Sequence, residues 1–223
     1  RDVYKRQRTD TVASGGMTVI DAHGAVVFPG LVDSHVHLAF APHVSPEFEL
    51  GGLSDQELVD RIRIHAMQHL EAGITSVRDL GGPGEPLRTF AASVESGAAG
   101  PRVWMSGPVI TRSHGHCYFV GDLVGDVSDI SGLVDGHADA GDGWIKVMVT
   151  GGALTSTSRP EDLQFDVDTM RTVVNRAHDR GLRVAAHVLT GEGARVAVEA
   201  GVDSIEHGVG ADRETLDQVA ERN

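Results

Sequence analysis

The feature that most constrains this chain is a repeated alternation of short apolar, β-branched runs with amphipathic helical segments. The predicted strands cover residues 26–36, 74–77, 103–110, 144–149, 182–187 and 202–207. Such alternation is typical of parallel strands joined by crossover helices. Both doubly wound sheets and closed barrels satisfy this pattern, so the sequence first predicts a parallel α/β fold.

Capping residues mark the helices between these strands. Ser54 and Glu57 form a capping box, and Pro86 is expected at the first position of the next helix. Asp166 and Asp212 are expected N-caps of two later helices. Six strand–helix units result, whereas a closed barrel has eight units in about 250 residues. We therefore predict an α/β fold of the TIM-type (β/α)8 barrel class, truncated to about six βα units.

The composition excludes several classes of partner. The chain has 223 residues with 19 Lys and Arg against 32 Asp and Glu, a formal net charge of −13. So acidic a chain lacks the basic surface that nucleic acids and anionic membranes require. Its single cysteine, Cys117, allows no intrachain disulfide and fits a reducing compartment. We expect a cytoplasmic protein that acts on a small molecule, and a homo-oligomer is compatible with this composition.

Four histidines close predicted strands. His35 and His37 are two residues apart and project from the same side of one strand, and His187 and His207 each end a later strand. Because the carboxyl ends of barrel strands meet on one face, these side chains would converge there. Histidine is the commonest metal-ligating side chain. The pattern favours a metal site, although a lone pair such as His35 and His37 could also be polar residues on a wet strand face.

Lys146 lies within an apolar strand and is the only lysine after residue 10. A charged amine is costly in apolar surroundings, and burial near cations favours its neutral form. A neutral amine can add carbon dioxide to give a carbamate, whose two oxygens can bridge two metal ions. The alternatives are an amine that reaches solvent at the strand end or pairs with an acid.

Taken in order, these motifs resemble the amidohydrolase superfamily of metal-dependent barrel hydrolases. The resembling segments are residues 29–37, 145–147, 186–187 and 205–208. The resemblance implies that His35 and His37 bind one zinc ion, that His187 and His207 bind a second, and that carbamylated Lys146 bridges them. Lys146 is more similar to the Xaa-Pro dipeptidase branch than to the imidazolonepropionases, which lack the bridging lysine and use one metal.

The resemblance also implies a division into regions. It implies that residues 17–29 are a remnant of a small β-sandwich and that residues 30–223 are a partial metal-dependent hydrolase barrel. Residues 1–16 are expected to be a disordered arm or an artefact, because the first ten residues hold three Arg and one Lys and differ in composition from the rest of the chain. The family's general-base aspartate follows the eighth barrel strand, which lies beyond the six units predicted here. We therefore expect a fragment whose catalytic site is incomplete.

Substrate-binding residues are expected in the loop after the third predicted strand, which would overhang the metals. His116 resembles in position the groups that hold a substrate carboxylate in peptidase-like family members, and Tyr118 lies beside it. Arg112 offers a second carboxylate partner by charge. Asp79, at the end of the second strand, is expected to tie neighbouring loops rather than bind metal.

These inferences combine into one predicted activity. We predict a zinc-dependent amidohydrolase that cleaves the amide bond of a dipeptide or N-acyl amino acid with a metal-bridging hydroxide. One alternative is an imidazolonepropionase-like hydrolase of a cyclic amide. The other is an inactive metal-binding fragment.

Overall fold

The computed structural model describes residues 23–42 and 45–222, in which parallel strands alternate with helices. The strands are β1 (Leu31–Val36), β2 (Ile74–Asp79), β3 (Arg102–Met105), β4 (Val109–Arg112), β5 (Gly121–Val124), β6 (Trp144–Met148), β7 (Arg183–His187) and β8 (Ser204–Glu206). The helices are α1 (Pro46–Glu49), α2 (Asp55–Glu71), α3 (Gly84–Glu95), α4 (Ile130–Asp139), α5 (Val167–Asp179), α6 (Gly191–Ala200) and α7 (Arg213–Glu221). The predicted arm and residues 17–22 of the predicted β-sandwich remnant lie outside the described residues.

The strands pair in two sheets, with the orders β1-β2-β3 and β5-β4-β6-β7-β8. The predicted strand over residues 103–110 is divided into β3 and β4, because Ser106, Gly107 and Pro108 interrupt it. Gly107 has a φ of +64°, and Pro108 has no N–H to donate to a ladder. β3 pairs with β2 and β4 pairs with β6, so this interruption separates the two sheets. Counting β3 and β4 together gives the six predicted strand positions, and β5 is an additional strand beside β4.

The first predicted strand begins later than expected. Residues 26–30 are irregular, and the side chains of Val26, Val27 and Phe28 are 69–82% exposed. Regular pairing begins at Leu31, whose N–H donates to the carbonyl of Gly73 over 2.9 Å. An apolar, β-branched run therefore stays irregular where no described strand lies beside it.

The helix boundaries follow most of the predicted caps. At the start of α2 the Ser54 N–H donates to Glu57 over 2.8 Å, and the Glu57 N–H donates to the Ser54 hydroxyl over 3.4 Å. Pro86 is the third residue of α3 rather than the first, because Pro83 occupies the N-cap with a φ of −63°. The predicted caps of α5 and α7 are confirmed at Asp166 and Asp212.

Two apolar clusters pack the helices on the strands. One joins β2 to α2 and α3 through Val77, Ile62 and Phe90, and the other includes Val147 of β6 and Met170 of α5. All five side chains are fully buried. Within the part of the chain that the structure describes, no helix has the length and apolarity needed to cross a membrane.

A buried ionic cluster lies beside the interruption between β3 and β4. The His137 ring contacts Asp142 over 2.7 Å through Nδ1 and Asp122 over 3.1 Å through Nε2, and Arg88 reaches Asp142 over 3.3 Å. Burial disfavours the charged ring, but the two carboxylates outweigh burial and raise the pKa of His137 to about 9. The charged imidazolium therefore ties the start of β6 to β5.

This cluster predicts a pH dependence of folding. The pKa of His137 is raised above its unfolded value of 6.5, so its stabilisation is complete below about pH 6.5 and is lost as pH rises through about 9. We expect His137→Gln to lower the free energy of unfolding by up to about 3 kcal/mol at pH 6, with a much smaller loss at pH 10. Urea denaturation at both pH values measures this change. His178→Gln, at a half-exposed ring, is the control, and equal losses at both pH values for His137→Gln would contradict the prediction.

Candidate metal centre

The four predicted histidines converge in an arc at the carboxyl ends of β1, β7 and β8. The ring centroids of His35 and His37 lie 5.2 Å apart, and those of His35 and His207 lie 5.1 Å apart. His187 follows at 4.8 Å from His207. His116 extends the arc, at 4.6 Å from His187. The fold therefore brings together side chains from distant parts of the sequence.

Backbone carbonyl groups orient two of these rings. His37 donates its Nδ1–H to the carbonyl of Gly81 over 2.8 Å, and His187 donates its Nε2–H to the carbonyl of Gly151 over 3.0 Å. In each neutral ring the other nitrogen then carries the lone pair. Such outer hydrogen bonds fix the tautomer of metal-ligating histidines. The sequence did not reveal either carbonyl, because both belong to loops that follow other strands.

Burial keeps three of the rings in the neutral form that metal ligation requires. Desolvation lowers the pKa of His37 to about 3 and that of His187 to about 2. Burial also lowers the pKa of His207. These imidazoles are therefore neutral at physiological pH and have lone pairs available.

Lys146 is 1% exposed, and its charge acts on His37, His187 and His207. Its Nζ has no hydrogen-bond partner among the described residues. Burial lowers its pKa to about 8, against the attraction of Glu206. Neither predicted alternative for Lys146 is observed, since the amine does not reach solvent and makes no ion pair within the described residues. An unpartnered, buried amine is costly unless another group completes its surroundings.

Glu206 and Arg78 form a charged pair that sequence reasoning missed. Glu206 contacts His35 Nδ1 over 2.6 Å with one oxygen and Arg78 over 2.9 Å with the other. Burial opposes ionisation of Glu206, but these hydrogen bonds and the nearby cations outweigh it and lower its pKa to about 2. The signal in the sequence was the position of Glu206, next to His207 at the end of a strand.

Asp79 ties the ends of β1 and β2 together, as the sequence favoured. Its buried carboxylate accepts the Leu38 N–H over 2.7 Å and the Gly81 N–H over 3.1 Å. Burial raises its pKa to about 7. Leu38 follows His37, and Gly81 supplies the carbonyl that orients the His37 ring. Asp79 therefore fixes the two backbone segments, at Leu38 and Gly81, that position the His37 ring.

Comparison with known proteins assigns the chain to a family. Residues 26–221 match the amidohydrolase family. The chain belongs to this family. A prolidase solved with bound N-methylphosphonate-L-proline superposes with a TM-score of 0.85 and 28% identity, covering 95% of this chain and 55% of that one. The solved relatives confirm the predicted TIM-type barrel architecture.

Two sequence relatives are named for different activities. The ochratoxinase of Aspergillus niger is 28% identical over 225 residues, which cover 88% of this chain and 46% of the relative. An imidazolonepropionase from Anaeromyxobacter is 31% identical over 229 residues, which cover 88% of this chain and 52% of the relative. This amidohydrolase thus spans about half the length of the curated relatives it matches.

The predicted substrate-binding residues occupy three different environments in this amidohydrolase. His116 is buried within the arc, and burial lowers its pKa to about 4. Tyr118 is half-buried and lies close to Glu47 of α1. The exposed Arg112 lies over the ring of Phe165, with 5.5 Å between its guanidinium carbon and the ring centroid. Among the described residues, Arg112 is therefore not brought to the histidines.

The loop that carries His116 is held by the loop after β6. The side-chain oxygen of Gln164 accepts the His116 N–H over 2.9 Å, while its amide nitrogen donates to the Met148 carbonyl over 2.6 Å. The Thr155 hydroxyl accepts the Cys117 N–H over 2.8 Å. These contacts explain why His116 is buried in the centre rather than displayed on a polar loop.

Gly152 supplies the space that the His116 ring occupies. A Cβ atom at residue 152 would overlap that ring, which is itself buried and cannot swing away freely. We expect Gly152→Ala to lower the free energy of unfolding by about 1–3 kcal/mol, as overpacking does. Urea denaturation measures the loss. Gly132→Ala is the control, because a Cβ there meets open space; equal stability of the two variants would contradict the prediction.

The donor set fits a metal centre in its chemistry. It offers neutral imidazoles with oriented rings and one buried amine without a partner. Within the described residues, no three His, Cys, Asp or Glu side chains already stand in a metal-binding arrangement. The assignment of each histidine to an ion therefore stays a prediction.

Proposed function

We propose that this amidohydrolase is a zinc-dependent hydrolase that cleaves the amide bond of a dipeptide or N-acyl amino acid. The observation that carries this proposal is the convergence of four histidines, together with the buried, unpartnered Lys146, whose charge acts on His37, His187 and His207. Its structural similarity to a prolidase supports the dipeptide class. We also propose that the substrate is a small molecule and that the protein is cytoplasmic.

His35 and His37 would hold one zinc ion, and His187 and His207 would hold the second. Carbamylated Lys146 would lie between the ions, because its buried amine has no hydrogen-bond partner among the described residues. Bound zinc supplies a Lewis acid and lowers the pKa of a water molecule to near 7. Gly81 and Gly151 orient His37 and His187 for this role through their carbonyl groups.

His116 and Tyr118 are the proposed substrate contacts. His116 stands at the end of the arc, 4.6 Å from His187 between ring centroids, where it can meet a group bound beside the metals. Tyr118 lies in the same loop and close to Glu47, which accepts the Ser156 N–H over 2.8 Å. Arg112 is the weaker candidate, because its side chain lies over Phe165.

A cyclic amide is the second candidate substrate. The 31% identity to an imidazolonepropionase favours it. Lys146 separates the two candidates, because a bridging carbamate requires two ions whereas a mononuclear site leaves the amine unused. A protein that binds metal but turns over neither class of substrate would instead indicate the inactive metal-binding alternative.

Metal content and substrate preference together test the proposal. In a version of the protein extended to include the eighth barrel strand and its aspartate, we expect two zinc ions per chain by elemental analysis after reconstitution and dialysis, because four imidazoles and a bridging anion exceed one tetrahedral site. Turnover should favour dipeptides or N-acyl amino acids over imidazolonepropionate. One ion per chain, unchanged by added zinc, would contradict the binuclear site. Preference for imidazolonepropionate would overturn the substrate class.

A further inference from the structure

Both carboxylate oxygens of the buried Glu206 make hydrogen bonds, one of them to the proposed metal ligand His35. One oxygen lies 2.6 Å from His35 Nδ1. The other accepts hydrogen bonds from Arg78 over 2.9 Å and from the Ser204 hydroxyl over 2.6 Å. The carboxylate therefore cannot rotate without breaking contacts on both sides.

Arg78 fixes this carboxylate and the backbone beside His35 at the same time. Its Nε donates to the Ser34 carbonyl over 2.7 Å, and its guanidinium carbon lies 4.4 Å from the centroid of the Trp144 ring. Ser34 immediately precedes His35 in β1. The Arg78 guanidinium thus contacts both β1, through the Ser34 carbonyl, and Glu206, which contacts the His35 ring of the same strand.

We propose that Glu206 is the positioning residue of His35, accepting its Nδ1–H so that Nε2 carries the lone pair that faces the metal centre. This inference rests on the proposed function, because it assigns His35 to a metal ion. Arg78 and Ser204 keep the carboxylate in place. Gly81 and Gly151 give His37 and His187 the same support through backbone carbonyls, so His35 differs in using a side chain from a distant strand.

The amide in Glu206→Gln cannot accept from both His35 and Arg78. If its oxygen accepts from His35, its NH2 group faces the donors of Arg78. If the amide is reversed, its NH2 group donates to His35 Nδ1 and stabilises the Nε2–H tautomer, which removes the lone pair from Nε2. We expect zinc affinity to fall about 10–100-fold, as for other outer partners of metal ligands. Competition with a chromophoric chelator measures the affinity. Glu199→Gln, at an exposed glutamate of α6, should bind zinc as the unaltered protein does.

Two further measurements separate positioning from general destabilisation. In the metal-free protein, 15N NMR of the His35 ring, assigned with His35→Gln, should show the Nδ1–H tautomer, and Glu206→Gln should lose this preference. Glu206→Asp keeps the charge that Arg78 needs but is one methylene too short to span both partners. It should fold and still lose about tenfold in zinc affinity.

The outcomes distinguish this inference from the proposed function. Tight zinc binding by the unaltered protein together with unchanged affinity in Glu206→Asp would overturn the positioning role and leave the metal centre intact. An Nε2–H tautomer of His35 in the metal-free protein would also overturn it. Failure of the unaltered protein to bind zinc would overturn the proposed function and this inference together.

Discussion

In a version of the protein extended to include the eighth barrel strand and its aspartate, replacing Lys146 with alanine is expected to remove at least one zinc ion and to lower turnover at least about a hundredfold. Outer partners of a metal site alone are worth 10–100-fold, and a bridging anion contacts the ions directly. Without the carbamate, two dications held by these histidines would repel each other with too little negative charge between them. Elemental analysis and turnover of a dipeptide panel measure both effects.

Chemical rescue makes the Lys146 prediction specific. Acetate or propionate should partly restore Lys146→Ala, because a short carboxylate can occupy the gap left by the carbamate. Lys146→Arg should not be rescued, since its guanidinium stays protonated and fills the space. Lys146→Met is the control for folding, because it keeps the volume and removes the unpartnered amine. Activity of Lys146→Ala equal to that of the unaltered protein would refute the bridging role.

Asp79→Ala is expected to destabilise the fold by about 2–5 kcal/mol. The substitution leaves the N–H groups of Leu38 and Gly81 without their acceptor, and each unsatisfied buried donor costs about 1–3 kcal/mol. Urea denaturation measures the loss. Asp168→Ala, at a side chain that is 92% exposed, should change stability by no more than about 0.5 kcal/mol.

The same substitution should weaken zinc binding, because Leu38 adjoins His37 and the Gly81 carbonyl accepts from its ring. Chelator competition should show lower affinity in Asp79→Ala even under conditions where the variant remains folded. Asp79→Asn keeps one oxygen acceptor and should lie between the alanine variant and the unaltered protein in both measurements. If Asp79→Ala were as stable as Asp79→Asn, the hydrogen bonds of the Asp79 carboxylate would not be what stabilises the two loops.

Much of the fold was predictable because its signals are local. The alternation of periods near 2 and 3.6 predicted six barrel strand positions, and the side chains at Ser54, Asp166 and Asp212 predicted three helix starts. Prediction failed where the local structure depends on a neighbouring strand or residue rather than on the pattern of residues along the chain. Residues 26–30 carry β-branched side chains and stay irregular, and the residues around Gly107 divide a run that reads as one strand.

The candidate site was predictable to the extent that the fold class implies it. The spacing of His35 and His37 and the strand-end positions of His187 and His207 required only that the carboxyl ends of parallel strands meet on one face. The burial of His116 was not predictable, because it depends on Gln164, which follows another strand. Arg112 was selected by charge, yet its direction is set by packing on Phe165.

The sequence by itself determined the strand–helix order, the faces on which the four histidines lie and the apolar setting of Lys146, since these depend on residues a few positions apart. Only the tertiary structure decided which groups orient those side chains. The contact between His35 and Glu206 joins residues 171 positions apart, and the Asp79 contact to Leu38 joins residues 41 apart. Such pairs form when strands close on one another, so their partners are fixed by three-dimensional packing rather than by sequence periodicity.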